Sequence, residues 1–181
     1  MHSDMERVLF STAAIEHRVR ELGNAISRDY NQQDLLLIGI LKGSVVFLAD
    51  LLRRIDIDVT IDFMALSSYG ASSESSGVVR ILKDLNESIE ERHVLIVEDI
   101  VDTGLTLNYL LELLKAHSPA SINICAFLDK PSRRKVDVEV KYSGFTIADD
   151  FVVGYGLDFN EKYRNLPEIC VLKKELYTAI V

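Results

Sequence analysis

Apolar residues recur along this chain with two periods. Ile15, Val19, Leu22 and Ile26 fall on one helix face, which predicts an amphipathic helix from about Thr12 to Tyr30. Leu35 to Leu41 is a nearly unbroken apolar run, the pattern of a strand covered on both faces in a parallel sheet. Lys42-Gly43-Ser44 then turns into a helix from Val45 to Arg54. Ile57, Val59, Ile61 and Phe63 alternate with polar residues and mark a strand with one covered face. Ser67 to Gly77 is a loop rich in serine and glycine, followed by a returning strand from Val78 to Lys83. His93 to Val97 and Ile122 to Leu128 predict buried strands on either side of a helix from Leu105 to His117. Val136, Val138 and Val140 alternate again, and residues 151–155 and 169–172 are short late strands. No repeat or linker interrupts the pattern. It predicts one α/β domain over residues 1–181, a doubly wound, mostly parallel sheet flanked by helices. Ligands of such folds sit beyond the carboxyl ends of the strands.

Composition narrows the function. The chain has 181 residues, enough for one core, and its net charge of -8 argues against charge-driven nucleic-acid binding. Arg133-Arg134-Lys135 reads as a solvated turn rather than a nucleic-acid patch. Cys125 and Cys170 lie in apolar runs without metal spacing and read as buried thiols in a reducing compartment. His2, His17, His93 and His117 form no metal pattern. The first residues lack the basic and apolar regions of a secretory leader, and no apolar run is long enough for a membrane span. A soluble cytoplasmic protein is expected.

The most informative stretch runs from Val94 through Glu98, Asp99, Asp102, Thr103, Gly104 and Thr106 to Leu107. A buried strand ends there in an acidic turn that opens a helix. N–H groups at a helix N-terminus are unpaired and partly positive, so they can bind an anion. Gly104 lets the backbone approach that anion, and the Thr103 and Thr106 hydroxyls add donors. Glu98 and Asp99 would repel a phosphate unless they accept from sugar hydroxyls or bind a bridging metal. A phosphate, a diol and Mg²⁺ together point to a ribose phosphate. On the residues alone, Asp102 has two open roles, helix cap or proton acceptor. The chain contains neither a dinucleotide G-x-G-x-x-G nor a P-loop.

Val97 to Thr106 resembles the phosphoribosyl-diphosphate signature of type I phosphoribosyltransferases, and the rest of the chain is similar to the bacterial hypoxanthine (hypoxanthine-guanine) members. The resemblance implies the type I fold, with a core of about residues 30–150 and a small hood from the N-terminal segment and about 151–181. It implies transfer of 5-phosphoribosyl from its diphosphate to hypoxanthine, and to guanine, with Mg²⁺. It makes Asp102 the group that handles the purine N7 proton. Glu98 and Asp99 would hold the ribose hydroxyls and metal, and Thr103, Gly104, Leu105 and Thr106 the 5-phosphate. Some members carry a basic residue where this chain has Leu105, which offers only its backbone N–H.

The resemblance further implies that Lys42 and Gly43, at a turn with a non-proline cis peptide, take the leaving diphosphate together with Arg164. Asp158 would join the metal set and the purine site. Lys130 would meet the purine 6-oxo group, Phe151 would stack on the base, and Val152 would read its edge through the main chain. Taken alone, Lys130 could be solvated and Phe151 could be core. Ser68 and Tyr69 match the family's lid, which would exclude water from an oxocarbenium-like sugar. Small-molecule substrates and a homodimer or homotetramer are the expected partners. Two rivals remain: the same chemistry on xanthine, adenine or orotate, and an RNA-binding regulator on the same fold, which would need a concentrated basic surface.

Overall fold

The computed structural model of the chain describes residues 2–68 and 79–178. β1 (Met5–Phe10) leads into α1 (Thr12–Asp29). The Ser11 hydroxyl accepts from the Ala14 N–H at 3.4 Å, satisfying a donor that no helical carbonyl can reach. β2 (Leu35–Leu41) feeds α2 (Val45–Leu52), and β3 (Val59–Ser68) and β4 (Val79–Lys83) follow. β5 (His93–Val101) feeds α3 (Leu105–Lys115), and β6 (Ser121–Asp129) and β7 (Tyr142–Thr146) come next. β8 (Val152–Val153), β9 (Ile169–Leu172) and α4 (Lys174–Thr178) complete the described chain.

Six strands form the main sheet in the order β4-β3-β2-β5-β6-β7. All neighbours pair parallel except β4, which is antiparallel to β3 at the edge. The unbroken apolar runs make sense in this frame. Leu35, Leu37, Leu95 and Val97 pack with Ile15, Val19, Phe47 and Leu51 of α1 and α2. Leu36, Ile38, Val94 and Ile96 pack with Leu107, Leu110 and Leu114 of α3. Burying each such side chain stabilises the fold by roughly 1.5–3 kcal/mol. The smaller sheet, β1-β9-β8, is antiparallel and forms the hood over a core of Met5, Val153, Cys170 and Leu172. Both cysteines are buried and unpaired.

Several boundaries differ from the sequence pattern. β5 continues past Val97 to Val101, because its ladder with β6 extends to Val101 opposite Asp129. Glu98 and Asp99 therefore lie within the strand end, and the turn begins at Asp102. Val136, Val138 and Val140 form no strand. Their side chains pack against the α3 face, while the Lys135 and Val136 N–H groups donate to the Thr103 carbonyl at 2.9 and 3.4 Å. The strand beside β6 is β7 instead. Ser67 and Ser68 belong to β3, not to the loop, and the late strand at residues 151–155 shrinks to β8.

Candidate active site

The site is built at the carboxyl ends of β2, β5 and β6 and closed by the hood. The β2–α2 turn comes first. The Leu41–Lys42 peptide is cis. Gly43 is packed so closely on β5 that an added Cβ would lie 1.5 Å from Asp99 Oδ2, so any larger residue must push that carboxylate aside. The Asp99 Oδ1 accepts from the Ile100 N–H at 2.8 Å. Burial pushes the Asp99 carboxyl up to about 6, although the Ile100 and Asp99 N–H groups and the Arg164 charge act the other way. Burial also holds the Glu98 carboxyl well above the usual carboxylate range, and the Asp99 charge adds to the shift.

Gly104 stands at the α3 N-terminus with φ +81°, a conformation that side chains bearing a Cβ rarely adopt. A cavity of about 150 Å³ opens over this turn, lined by Glu98, Ile100, Asp102, Thr103, Gly104 and Thr106. Leu105 donates its N–H to the Thr103 hydroxyl at 3.4 Å. The first N–H groups of α3 have no preceding helical carbonyl and face the same turn.

A second cavity, about 240 Å³, is lined by Asp99, Ile100, Lys130, Phe151, Val152, Leu157 and Asp158. Ile100 lines both cavities. Lys130 is not the solvated lysine its loop position allowed: it is 8% exposed, and its ammonium donates to the Asp150 carbonyl at 2.6 Å. Phe151 lies between aromatic neighbours, stacked on Tyr177 at 4.7 Å and edge-on to Phe159 at 5.6 Å. It remains 36% exposed, so it is not plain core. Val152 pairs with Val171 in the hood.

The loop after β8 carries Asp158 and Arg164. The Arg164 guanidinium pairs with Asp158 at 2.9 Å and with Glu161 at 3.3 Å, and donates to the Gly156 carbonyl at 2.9 Å. Its buried Nε has no protein partner among the described residues. Lys42 reaches the same Glu161 at 3.1 Å. Among the described residues no three acidic, histidine or cysteine side chains converge on one point. The donor set Glu98 and Asp99, with Asp158 nearby on the cavity wall, suits Mg²⁺, which takes one or two carboxylates and fills its shell with water and phosphate oxygens.

The structure thus gathers Lys42, Gly43, Glu98, Asp99, Asp102, Thr103, Gly104, Leu105, Thr106, Lys130, Phe151, Val152, Asp158 and Arg164 at and beside two neighbouring cavities that share Ile100. Of the lid residues, Ser68 ends β3 and Tyr69 lies outside the described residues. The basic run proved the main omission. Arg133 donates to Asp102 at 3.1 Å and pairs with Asp149 at 3.3 Å. Arg134 donates to the Asp102 carbonyl at 2.7 Å and pairs with Asp129. Local sequence carries no signal for the contacts to Asp102, 31 and 32 positions away. Glu161 and Tyr177 were missed for the same reason.

A family model described as the phosphoribosyl transferase domain matches residues 9–160. The hypoxanthine-guanine phosphoribosyltransferase of Staphylococcus epidermidis is 53% identical over 178 residues, covering 98% of this chain and 99% of that one. A solved hypoxanthine phosphoribosyltransferase from Staphylococcus aureus aligns with a TM-score of 0.95 at 51% identity, covering 98% of this chain and 96% of its own. The hypoxanthine phosphoribosyl transferase of Trypanosoma cruzi aligns with a TM-score of 0.94 at 42% identity, covering 99% and 97%.

Proposed function

The chain belongs to the phosphoribosyl transferase family, and on that footing we propose that it is a purine salvage enzyme that transfers 5-phosphoribosyl from phosphoribosyl diphosphate to hypoxanthine and guanine. The products are the nucleoside monophosphate and diphosphate. The observation that carries this reading is a pair of neighbouring cavities that both border Ile100, one over the α3 N-terminus and one between Lys130 and Phe151. The first suits a ribose phosphate and the second a flat oxo base.

In this scheme Thr103, Gly104, Leu105 and Thr106 hold the 5-phosphate through N–H and hydroxyl donors. Glu98 and Asp99 accept from the ribose hydroxyls and, with Asp158, hold Mg²⁺. When bound, the metal would offset negative charge on the diphosphate. Lys42, Gly43 and Arg164 receive that diphosphate, the lysine and arginine exchanging Glu161 for its oxygens. The purine stacks on Phe151, offers its 6-oxo group to Lys130 and meets the Val152 main chain and Asp158 at its other edge. A buried ammonium is a poor neighbour for an amino group, which selects oxo over amino purines. The bond from the anomeric carbon to the diphosphate oxygen breaks with its electron pair. The purine N9 forms the new bond, and the N7 proton passes to the Asp102 carboxylate. The purine acidifies as that bond forms, so a weak base in place is sufficient.

No helix among the described residues is long and apolar enough to cross a membrane. A cytoplasmic location accords with two buried, unpaired thiols. Assembly as a homodimer or homotetramer belongs to the same reading, supported by the large apolar side chains of Val45, Ile61 and Leu82 left exposed. Ser68 and Tyr69 would close over the bound sugar. Asp102→Asn tests the proton step: kcat falls by roughly 10²–10⁴, the usual worth of general base catalysis, while the KM for phosphoribosyl diphosphate changes little. Near-normal turnover in that variant removes Asp102 from the mechanism.

A further inference from the structure

The purine presents its 6-oxo group and N7 side by side on one edge. Lys130 and Asp102, assigned above to those two atoms, come from the ends of neighbouring strands, β6 and β5. Something must hold a cation and an anion at the separation the purine requires without letting them collapse onto each other.

The structure contains such a device. Asp102 Oδ1 accepts from Arg133 Nε at 3.1 Å. Arg133 Nη1 meets Asp149 Oδ2 at 3.3 Å, and Asp149 Oδ1 lies 3.7 Å from the Lys130 ammonium. All four side chains line one cavity of about 330 Å³ beside Phe151. The bridge alternates in sign from Lys130 through Asp149 and Arg133 to Asp102, so each charge keeps an opposite neighbour. The guanidinium is planar and rigid, which suits it to spanning two carboxylates. Arg133 Nε engages only Oδ1 of Asp102, which leaves Oδ2 for the N7 proton. Backbone contacts brace the same region, since Lys135 donates its N–H to the Thr103 carbonyl at 2.9 Å.

We propose that Arg133, braced by Asp149, is a positioning residue that fixes the Asp102 carboxylate relative to the Lys130 ammonium along one edge of the purine. The proposal rests on the role of Asp102 stated above. Arg133 and Asp149 are about half exposed, and exposed ion pairs contribute little to folding. The contribution of the bridge therefore shows in turnover and not in thermal stability.

The test is steady-state kinetics on the full chain, with hypoxanthine and phosphoribosyl diphosphate varied separately. The variants are Arg133→Ala, Arg133→Lys, Asp102→Asn and the Arg133→Ala/Asp102→Asn pair. Arg133→Ala is expected to lower kcat about fivefold, equivalent to ~1 kcal/mol, with the donor KM and the unfolding temperature unchanged. Arg133→Lys restores part of the loss, because a point charge reaches one carboxylate but not both. In the Asp102→Asn background, Arg133→Ala adds no further loss, since its effect runs through that carboxylate. Three results would overturn the proposal while leaving the Asp102 reading intact: unaltered kcat in Arg133→Ala, the same loss in both backgrounds, or an effect confined to the donor KM. Normal turnover in Asp102→Asn alone overturns the parent reading, and the proposal with it.

Discussion

Gly43→Ala separates folding from function at this site. An added Cβ would lie 1.5 Å from Asp99 Oδ2 and 2.5 Å from its Cγ. A carbon and an oxygen approach to about 3.3 Å, so the carboxylate must retreat by roughly 1.8 Å. The obstacle is the end of a side chain and not backbone, so the chain can fold around it. The retreat breaks the 2.8 Å bond from the Ile100 N–H to Asp99 Oδ1. Overpacking of this kind costs about 1–3 kcal/mol. At this chain length that lowers the unfolding temperature by roughly 2–12 °C. The catalytic loss is larger, because a carboxylate displaced by more than an ångström no longer meets the metal and the ribose hydroxyls. A misplacement of about 1 Å can cost 10²-fold, so kcat/KM for phosphoribosyl diphosphate falls by at least about a hundredfold. The assay is initial rate against donor concentration, with circular dichroism and thermal melting as the folding controls. A folded Gly43→Ala variant with an unaltered kcat/KM would refute the contact and the role given to Asp99.

Three further outcomes follow from the site. The Asp99 carboxyl, pushed up to about 6 by burial, must lose its proton to hold Mg²⁺, and the neighbouring Glu98 carboxyl is raised as well, so donor affinity in Mg²⁺ weakens as the pH falls through about 6. The sign for stability is the reverse: the folded value is raised, so this group contributes stability below its unfolded value near 3.9, and that contribution is lost as the pH rises through about 6. Calorimetric titration of the donor across the acidic range checks the first statement, and an affinity independent of pH contradicts it. Lys130→Ala removes a buried, charge-assisted donor worth about 1.5–3 kcal/mol, which raises the hypoxanthine KM roughly 10- to 150-fold and leaves the donor KM nearly unaltered. Separate KM measurements on the two substrates decide it.

The parts of this molecule that are legible in its sequence are those whose physics is local. Leu35 to Leu41 reads as a buried strand because Leu35 to Ile40 are covered whichever face they point to. The turn from Asp102 to Thr106 reads as a helix start over an anion site because the chemistry is contiguous. Glu98 and Asp99 were read as the turn itself, since charge normally ends a buried strand. Here the ladder to β6 continues beneath them, and the cost appears as raised carboxyl protonation. Val136, Val138 and Val140 mimic a strand because alternation also serves a strap lying against α3. β1 shows little alternation because it is a partly exposed edge strand of the hood, and its pairing with β9 spans nearly the whole chain. Arg133 and Glu161 were invisible as site residues for a related reason. Their partners Asp102 and Lys42 lie 31 and 119 positions away.

The central claim is that this chain joins the phosphoribosyl group to an oxo purine. Its most direct measurement is an ultraviolet rate assay with phosphoribosyl diphosphate, Mg²⁺ and one purine at a time, with released diphosphate quantified in parallel. The account predicts turnover with hypoxanthine and with guanine, one diphosphate released for each nucleotide formed, and none with adenine. Turnover with adenine, or no diphosphate released with either oxo purine, would contradict it.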